Sequence, residues 1–229
     1  MAMVKDNISQ TLSDISLICQ RLGRNPEDIT LVCVTKFATV SMIEEALQSG
    51  IAHIGENKVQ EALKKYSALK TKVTRHMIGH LQTNKVKDAL DIFDVIQSVD
   101  SLKLAQELDK QAVKLNKTTD ILIQVNTSNE GQKSGVGPDE TLSLIEGILK
   151  LTHVRILGLM TMAMLTKDEQ AIRGCFKELR ALKVEADKKF EGAPRFSMQY
   201  LSMGMSGDYT IAIEEGANMV RVGTAIFGE

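Results

Sequence analysis

The sequence of 229 residues has no tryptophan, three tyrosines and six phenylalanines, which leaves little for a base-stacking surface. Its three cysteines, Cys19, Cys33 and Cys175, are far apart and form no CxxC pair. That spacing excludes a disulfide scaffold and predicts reduced, structural thiols in a cytoplasm. Neither charge sign is in excess: 28 Lys and Arg face 29 Asp and Glu, so the basic footprint of a nucleic-acid binder is missing. Apolar stretches such as 154–165 contain Arg155 and are too short to cross a bilayer. The opening Met1-Ala-Met-Val-Lys-Asp is already polar, so no signal peptide is expected. His53, His76, His80 and His153 lack the paired spacing of a helical zinc motif, so no metal is expected, and no Gly-x-Ser-x-Gly elbow occurs. No Pro/Gly/Ser-rich linker divides the chain, which reads as a single domain over 1–229, with 1–28 as an N-terminal helix and linker.

What is present is alternation. Ile8, Leu12, Ile15, Ile18 and Leu22 recur at helical spacing and predict an amphipathic helix over 3–22. The β-branched run 29–35 predicts a buried strand. A helix over 41–50 follows, with Ser41 as N-cap, Glu44 completing a capping box and Gly50 as the stop. The pattern continues with strands near 52–55, 74–78, 93–99, 121–126, 154–159, 200–203 and 219–222. Helices lie between them near 57–69, 83–90, 101–115, 138–151, 167–190 and 208–215. Strands separated by helices are parallel, because hairpins cannot join parallel neighbours. Eight such units in a chain of this length predict an α/β fold of the (β/α)8 TIM-barrel type. A doubly wound sheet would carry a glycine-rich fingerprint after the first strand, where Thr35-Lys-Phe-Ala-Thr stands instead.

In such a barrel, reactive groups stand at the C-terminal ends of the strands. The first strand delivers Lys36 there, beside apolar walls. Desolvation would favour the neutral amine that forms a Schiff base with an aldehyde or ketone. On spacing alone, a snorkelling lysine with its ammonium in water is the commoner alternative. After the seventh strand comes Ser202-Met-Gly204-Met-Ser206-Gly-Asp208, and after the eighth Arg221-Val-Gly223-Thr224. Turns at these two positions, rich in small and hydroxylated residues, suit a phosphate, with Asp208 complementing the dipole of the following helix. Otherwise the glycines merely permit tight turns. Arg221 would contact the ligand or else pair with Glu56 or Glu215. Asn57 is either a helix cap or an amide reaching the ligand. His80, within Gly79-His80-Leu-Gln82-Thr-Asn84-Lys85, stacks or caps more readily than it catalyses. The loop after the fifth strand places Lys133 in solvent or in a lid. Met160, Met162 and Met164 are expected to line the barrel. A lysine combined with an anion cradle points to an aldehyde or ketone bearing a phosphate.

These segments also carry a resemblance. Val34-Thr-Lys36, Ile54-Gly-Glu-Asn57, Ile78-Gly-His-Leu-Gln-Thr-Asn-Lys85, Lys133-Ser-Gly135, Gly158-Leu-Met160, Leu201-Ser-Met-Gly-Met-Ser206 and Val220-Arg-Val-Gly-Thr-Ala-Ile-Phe-Gly228 resemble, in order, the pyridoxal phosphate homeostasis proteins. That family is related to the N-terminal domain of alanine racemase. The resemblance implies a fold-type III barrel for pyridoxal 5′-phosphate (PLP). Lys36 would form the internal aldimine, and the Ser206 loop with Gly223 and Thr224 the phosphate cup. Arg221 would face the pyridine nitrogen and Asn57 the side of the ring. A cation there discourages protonation of the ring nitrogen and weakens its electron sink. Two positions depart from many relatives: Phe37-Ala38-Thr39 replaces a Lys-Pro pair, and Lys58 replaces a tyrosine. They leave open a second PLP site or a transfer route through extra lysines.

The resemblance implies a cytoplasmic PLP carrier in cellular PLP and amino-acid homeostasis, not an enzyme, with PLP-dependent apoenzymes as recipients and no nucleic-acid or membrane partner. The rivals are a PLP-dependent amino-acid racemase and a Schiff-base sugar-phosphate aldolase. Racemases take a second base, a tyrosine, from an additional domain in a partner subunit. The sequence ends at Glu229, so neither that domain nor its dimer is expected and a monomer is favoured. Tyr66, Tyr200 and Tyr209 offer no obvious substitute. The charged helix over 101–117 is a candidate surface for a regulatory partner, a solvated face being the alternative.

Overall fold

The computed structural model describes residues 4–128, 130 and 134–228. Strands β1 (Thr30–Val34), β2 (His53–Glu56), β3 (Thr74–Met77), β4 (Val95–Val99), β5 (Thr119–Gln124), β6 (Val154–Met160), β7 (Phe196–Ser202) and β8 (Met219–Val222) close into a barrel in that order. All neighbours are parallel, and β8 returns to β1 through Val32↔Arg221. Helix α1 (Val4–Leu22) precedes the barrel. Helices α2 (Val40–Gln48), α3 (Val59–Tyr66), α4 (Val86–Ile92), α5 (Leu102–Lys114), α6 (Pro138–Ile148), α7 (Glu169–Lys189) and α8 (Tyr209–Glu214) are the crossovers, and α9 (Thr224–Phe227) follows β8.

Strand parity divides the core into two shells. Outward residues such as Cys33, Ile54, Met77, Ile96, Ile121 and Leu159 pack under the helices in one large cluster. A smaller cluster of Val32, Leu122, Met160 and Met219 fills the barrel itself. Of the three expected lining methionines, Met160 lies in this inner cluster and Met162 packs against it. Met164 packs instead against the outer shell, because by then the chain has left β6. Helix α1 buries Ile8, Ile15 and Ile18 against its neighbours α2, α8 and α9. Arg24 ties its far end to the Ile213 and Ala217 carbonyls.

Several local readings change. The N-cap of α2 is Thr39, whose hydroxyl accepts from the Met42 amide. Ser41 sits within the first turn and bonds Thr39, while Glu44 reaches forward to the Lys70 amide, so no capping box forms. The helix expected from 83 begins as a 3-10 turn over Thr83–Lys85. β7 starts at Phe196, four residues before the expected Tyr200, because pairing with β6 at Ile156↔Phe196 extends it. Lys133 lies outside the described residues.

Candidate functional site

The strand ends converge on a cavity of about 270 Å³ at the C-terminal mouth of the barrel. Its polar wall is made by Lys36, Asn57, Ser206, Arg221, Gly223 and Thr224, and its apolar wall by Val34, Ile78, Met162 and Met205. Six of the residues singled out by sequence therefore meet in one place: Lys36 and Asn57 just past β1 and β2, Arg221 within β8, and Ser206, Gly223 and Thr224 in the segments after β7 and β8. Ser202 and Gly204 do not line it. They lie behind Arg221: Ser202 accepts a hydrogen bond from its Nη1 at 2.7 Å, and the Gly204 carbonyl accepts from its backbone amide.

Lys36 rides on the turn that leaves β1, closed by Ala38 N–H to the Thr35 carbonyl at 3.0 Å. That turn lifts it to the rim, where it is exposed and its Nζ lies 4.8 Å from the Phe37 ring centroid. The expectation of a desolvated amine between apolar walls is thus corrected. What is buried is the support beneath it. Lys65 donates to the Thr35 carbonyl at 2.8 Å, the Lys36 carbonyl at 3.3 Å and Glu56 Oε2 at 3.0 Å. Glu56, only 1% exposed, accepts the Asn57 amide at 2.8 Å through its other oxygen. Thr35 Oγ1 lies within hydrogen-bond distance of Glu56 Oε2 and of the Tyr66 hydroxyl. One ion pair thereby fixes the backbones of both Lys36 and Asn57.

Asn57 is not the helix cap; Lys58 holds that position, without a side-chain cap bond. Asn57 is held from the other side by Gly79, where a Cβ would stand 2.3 Å from the Asn57 carbonyl oxygen. His80 and Lys85 contribute to a neighbouring cleft that shares Asn57, and His80 Nδ1 lies 3.8 Å from Asp100 Oδ2.

The turn after β7 depends on Gly204 at φ +95°, where a Cβ would come within 2.6 Å of Ala212 Cβ. Ser206 Oγ accepts from the Gly223 and Ala225 amides at 3.2 and 3.3 Å, joining the two strand-end turns. A Cβ added at Gly207, also in the wall, meets no atom within 4 Å, so backbone and open space adjoin there. Asp208 does not cap α8 with its side chain. It accepts the Met205 amide and braces the turn, and its burial raises the carboxyl pKa above the ordinary range.

Arg221 is 4% exposed. Its Nη2 donates to the Thr161 carbonyl at 2.7 Å. Neither predicted carboxylate partner reaches it: Glu56 pairs with Lys65, and Glu215 with Arg173. Burial pulls the guanidinium down to about 10, against the pull of the Asp208 charge, and it remains a cation at neutral pH. A buried cation on a cavity wall, with no carboxylate in ion-pair contact among the described residues, is suited to an electron-rich ligand atom. An exposed primary amine, a small-residue cradle with hydroxyl and amide groups, and a buried guanidinium are the donor set that a phosphorylated pyridine aldehyde requires.

Residues 15–229 match the family model described as alanine racemase, N-terminal domain. A pyridoxal phosphate homeostasis protein of Aquifex aeolicus is 41% identical over 98% of this chain and 97% of its own. A crystal structure of an unknown protein from Bifidobacterium adolescentis superposes with a TM-score of 0.92 at 34% identity, covering 98% of this chain and 94% of that one. The structure of PipY from Synechococcus elongatus with PLP bound has a TM-score of 0.82 at 34% identity, covering 93% of this chain and 100% of PipY. The chain belongs to the alanine racemase N-terminal-domain family, and within it to the pyridoxal phosphate homeostasis proteins.

Proposed function

We propose that the barrel mouth holds PLP and that the chain serves PLP and amino-acid homeostasis as a carrier without a reaction of its own. The observation that carries this reading is the meeting of Lys36, the Ser206–Gly223–Thr224 cradle and Arg221 in one cavity. PLP, when bound, supplies an aldehyde that condenses reversibly with amines and a ring that withdraws electrons once its nitrogen is protonated. Lys36 supplies the amine, Ser206, Gly223 and Thr224 receive the phosphate, and Asn57 flanks the ring. Ser202 and Gly204 support these contacts from behind. Arg221, fixed by Ser202 and Thr161, presents a permanent cation that disfavours a proton on the ring nitrogen.

The absence of catalysis is supported by the composition of the wall. Among the described residues, Lys36 and Arg221 are its only titratable side chains. Racemisation needs a proton-transfer group on each face of the reacting carbon. The tyrosines are engaged elsewhere: Tyr66 with Thr35, Tyr209 with Asp14, and Tyr200 against the inner cluster. Exposure of Lys36 supports release to PLP-dependent apoenzymes. Three buried, free cysteines support a reducing, cytoplasmic location, and no helix among the described residues is long and apolar enough to cross a membrane.

The test is an absorption spectrum of the purified protein, followed by borohydride reduction and peptide mapping. Visible absorption, a modified peptide containing Lys36, and loss of both in Lys36→Ala are expected. A colourless protein that cleaves a sugar phosphate would establish the aldolase instead. Sustained conversion of L-alanine to D-alanine, abolished by Lys36→Ala, would establish the racemase.

A further inference from the structure

Beneath the cavity, a chain of polar side chains, all buried except the half-buried His53, crosses the barrel. Arg221 Nη1 donates to Ser202 Oγ at 2.7 Å, and Ser202 Oγ donates to Gln97 Oε1 at 2.7 Å. Gln97 Nε2 lies 2.9 Å from His76 Nδ1, and His76 Nε2 lies 3.0 Å from His53 Nδ1. The members come from β8, β7, β4, β3 and β2. Gln97 and Ser202 are 0% exposed and His76 is 1% exposed, so bulk water cannot replace a missing partner.

The direction of every hydrogen bond follows from Arg221. A guanidinium only donates, so Ser202 Oγ accepts there and its single proton goes to Gln97 Oε1. The other end of Gln97 is then its NH2 group, which only donates, so His76 Nδ1 accepts. A neutral imidazole accepting at Nδ1 carries its proton on Nε2 and gives it to His53 Nδ1. Burial supports neutrality at both rings, pulling His76 down to about 3 and lowering His53.

We propose that Gln97 is a positioning residue for Arg221, and that Gln97, His76 and Ser202 form a one-way relay that fixes the guanidinium from the far side of the barrel. Among the described residues, Ser202 is one of two hydrogen-bond anchors of the Arg221 side chain, the Thr161 carbonyl being the other. Without Gln97 as acceptor, the Ser202 hydroxyl turns, and its lone pairs no longer face the Arg221 Nη1 donor. The guanidinium then loses its fixed orientation toward the ring. The inference rests on the reading that bound PLP directs its ring nitrogen at Arg221.

Nitrogen-15 NMR of labelled histidines, on the full chain before PLP is added, tests the relay directly. The expected result is a neutral His76 protonated on Nε2, and a His76 protonated on Nδ1 overturns the proposal. Gln97→Glu places a carboxylate oxygen opposite Nδ1, and the proton should move to that nitrogen. PLP titration followed by absorption tests the consequence. Gln97→Leu should shift the visible band and weaken PLP binding roughly tenfold, the scale of coupling between groups in one network. His76→Gln, whose amide can accept from Gln97 and donate to His53, should keep both at wild-type values. An unshifted band with unchanged affinity in Gln97→Leu refutes the positioning role. Should Gln97→Leu not fold, the wild-type tautomer and the Gln97→Glu response decide. Absence of PLP binding by the wild type refutes the proposed function and is distinguishable, because the tautomer is read without PLP.

Discussion

Lys65→Met separates the support of the site from the site itself. The variant keeps most of the apolar stem of Lys65 and removes an ammonium with three acceptors: Glu56 and the carbonyls of Thr35 and Lys36. The pair is well buried, with side chains 14% and 1% exposed for Lys65 and Glu56. Removing one partner of a buried pair strands the other and costs about 3–5 kcal/mol. Glu56 keeps the Asn57 amide and the Thr35 hydroxyl, so the low end, about 3 kcal/mol, is expected. For a chain of this size that lowers the thermal midpoint by about 6–12 °C. PLP binding should weaken as well, because the peptide carrying Lys36 loses its tether while the amine remains. In Glu56→Gln/Lys65→Met the stranded charge is gone and the amide still accepts from Asn57. The loss should shrink to about 1 kcal/mol, so the coupling is at least about 2 kcal/mol and grows by whatever Glu56→Gln costs alone. Thermal and urea denaturation of the wild type, both single variants and the double variant measure this cycle. A Lys65→Met loss below about 0.5 kcal/mol, typical of exposed pairs, or strict additivity would refute the clamp.

Two further outcomes follow from the same structure. His76 binds a proton near 6.5 when unfolded but only near 3 when folded, because burial disfavours its cation. The unfolded state therefore takes up the proton first, and stability present above about 6.5 is lost as pH falls toward 3, by up to about 1.4 kcal/mol per pH unit. Denaturation curves between about pH 7 and pH 5 should be flatter for His76→Gln than for the wild type, and parallel curves would contradict the assignment. Gly204→Ala forces a side chain into positive φ and against α8, so a loss of roughly 2–4 kcal/mol is expected, visible as a lower urea midpoint. An unchanged midpoint would show that the turn relaxes freely.

The fold was legible because its signal is periodic. β-branched runs such as Leu31-Val-Cys-Val34, alternating with helical spacings such as Ile8, Ile15 and Ile18, require parallel strands with crossovers, and the barrel follows from their number. Lys36, Asn57, Ser206, Arg221, Gly223 and Thr224 could be grouped because a parallel barrel places every strand end on one face, whatever the sequence separation. Local detail was less legible. Ser41 and Thr39 are both competent caps, and the choice fell to Thr39, which has extended backbone and reaches the Met42 amide. The exposure of Lys36 depends on how the chain turns after β1, which residue identity does not report.

The supports of the site escaped because their partners are set by strand register. Glu56 meets Lys65 across a turn and a helix, and Gln97 meets Ser202 105 positions away, so no spacing in the chain announces either contact. A faint signal did exist. Gln97 and Ser98 interrupt Val95-Ile-Gln-Ser-Val99, a strand buried at every position, where a polar side chain must find a partner inside the protein. For Gln97 the partners are Ser202, His76 and Met219 Sδ, on three other strands. The Ser98 hydroxyl, also buried, has no hydrogen-bond partner among the described residues. Of these two adjacent polar residues, one is drawn into the network under Arg221 and one lies outside it. Such a network persists in an otherwise apolar barrel only where each donor meets an acceptor, and that requirement ties the cation at the mouth to the histidines below it.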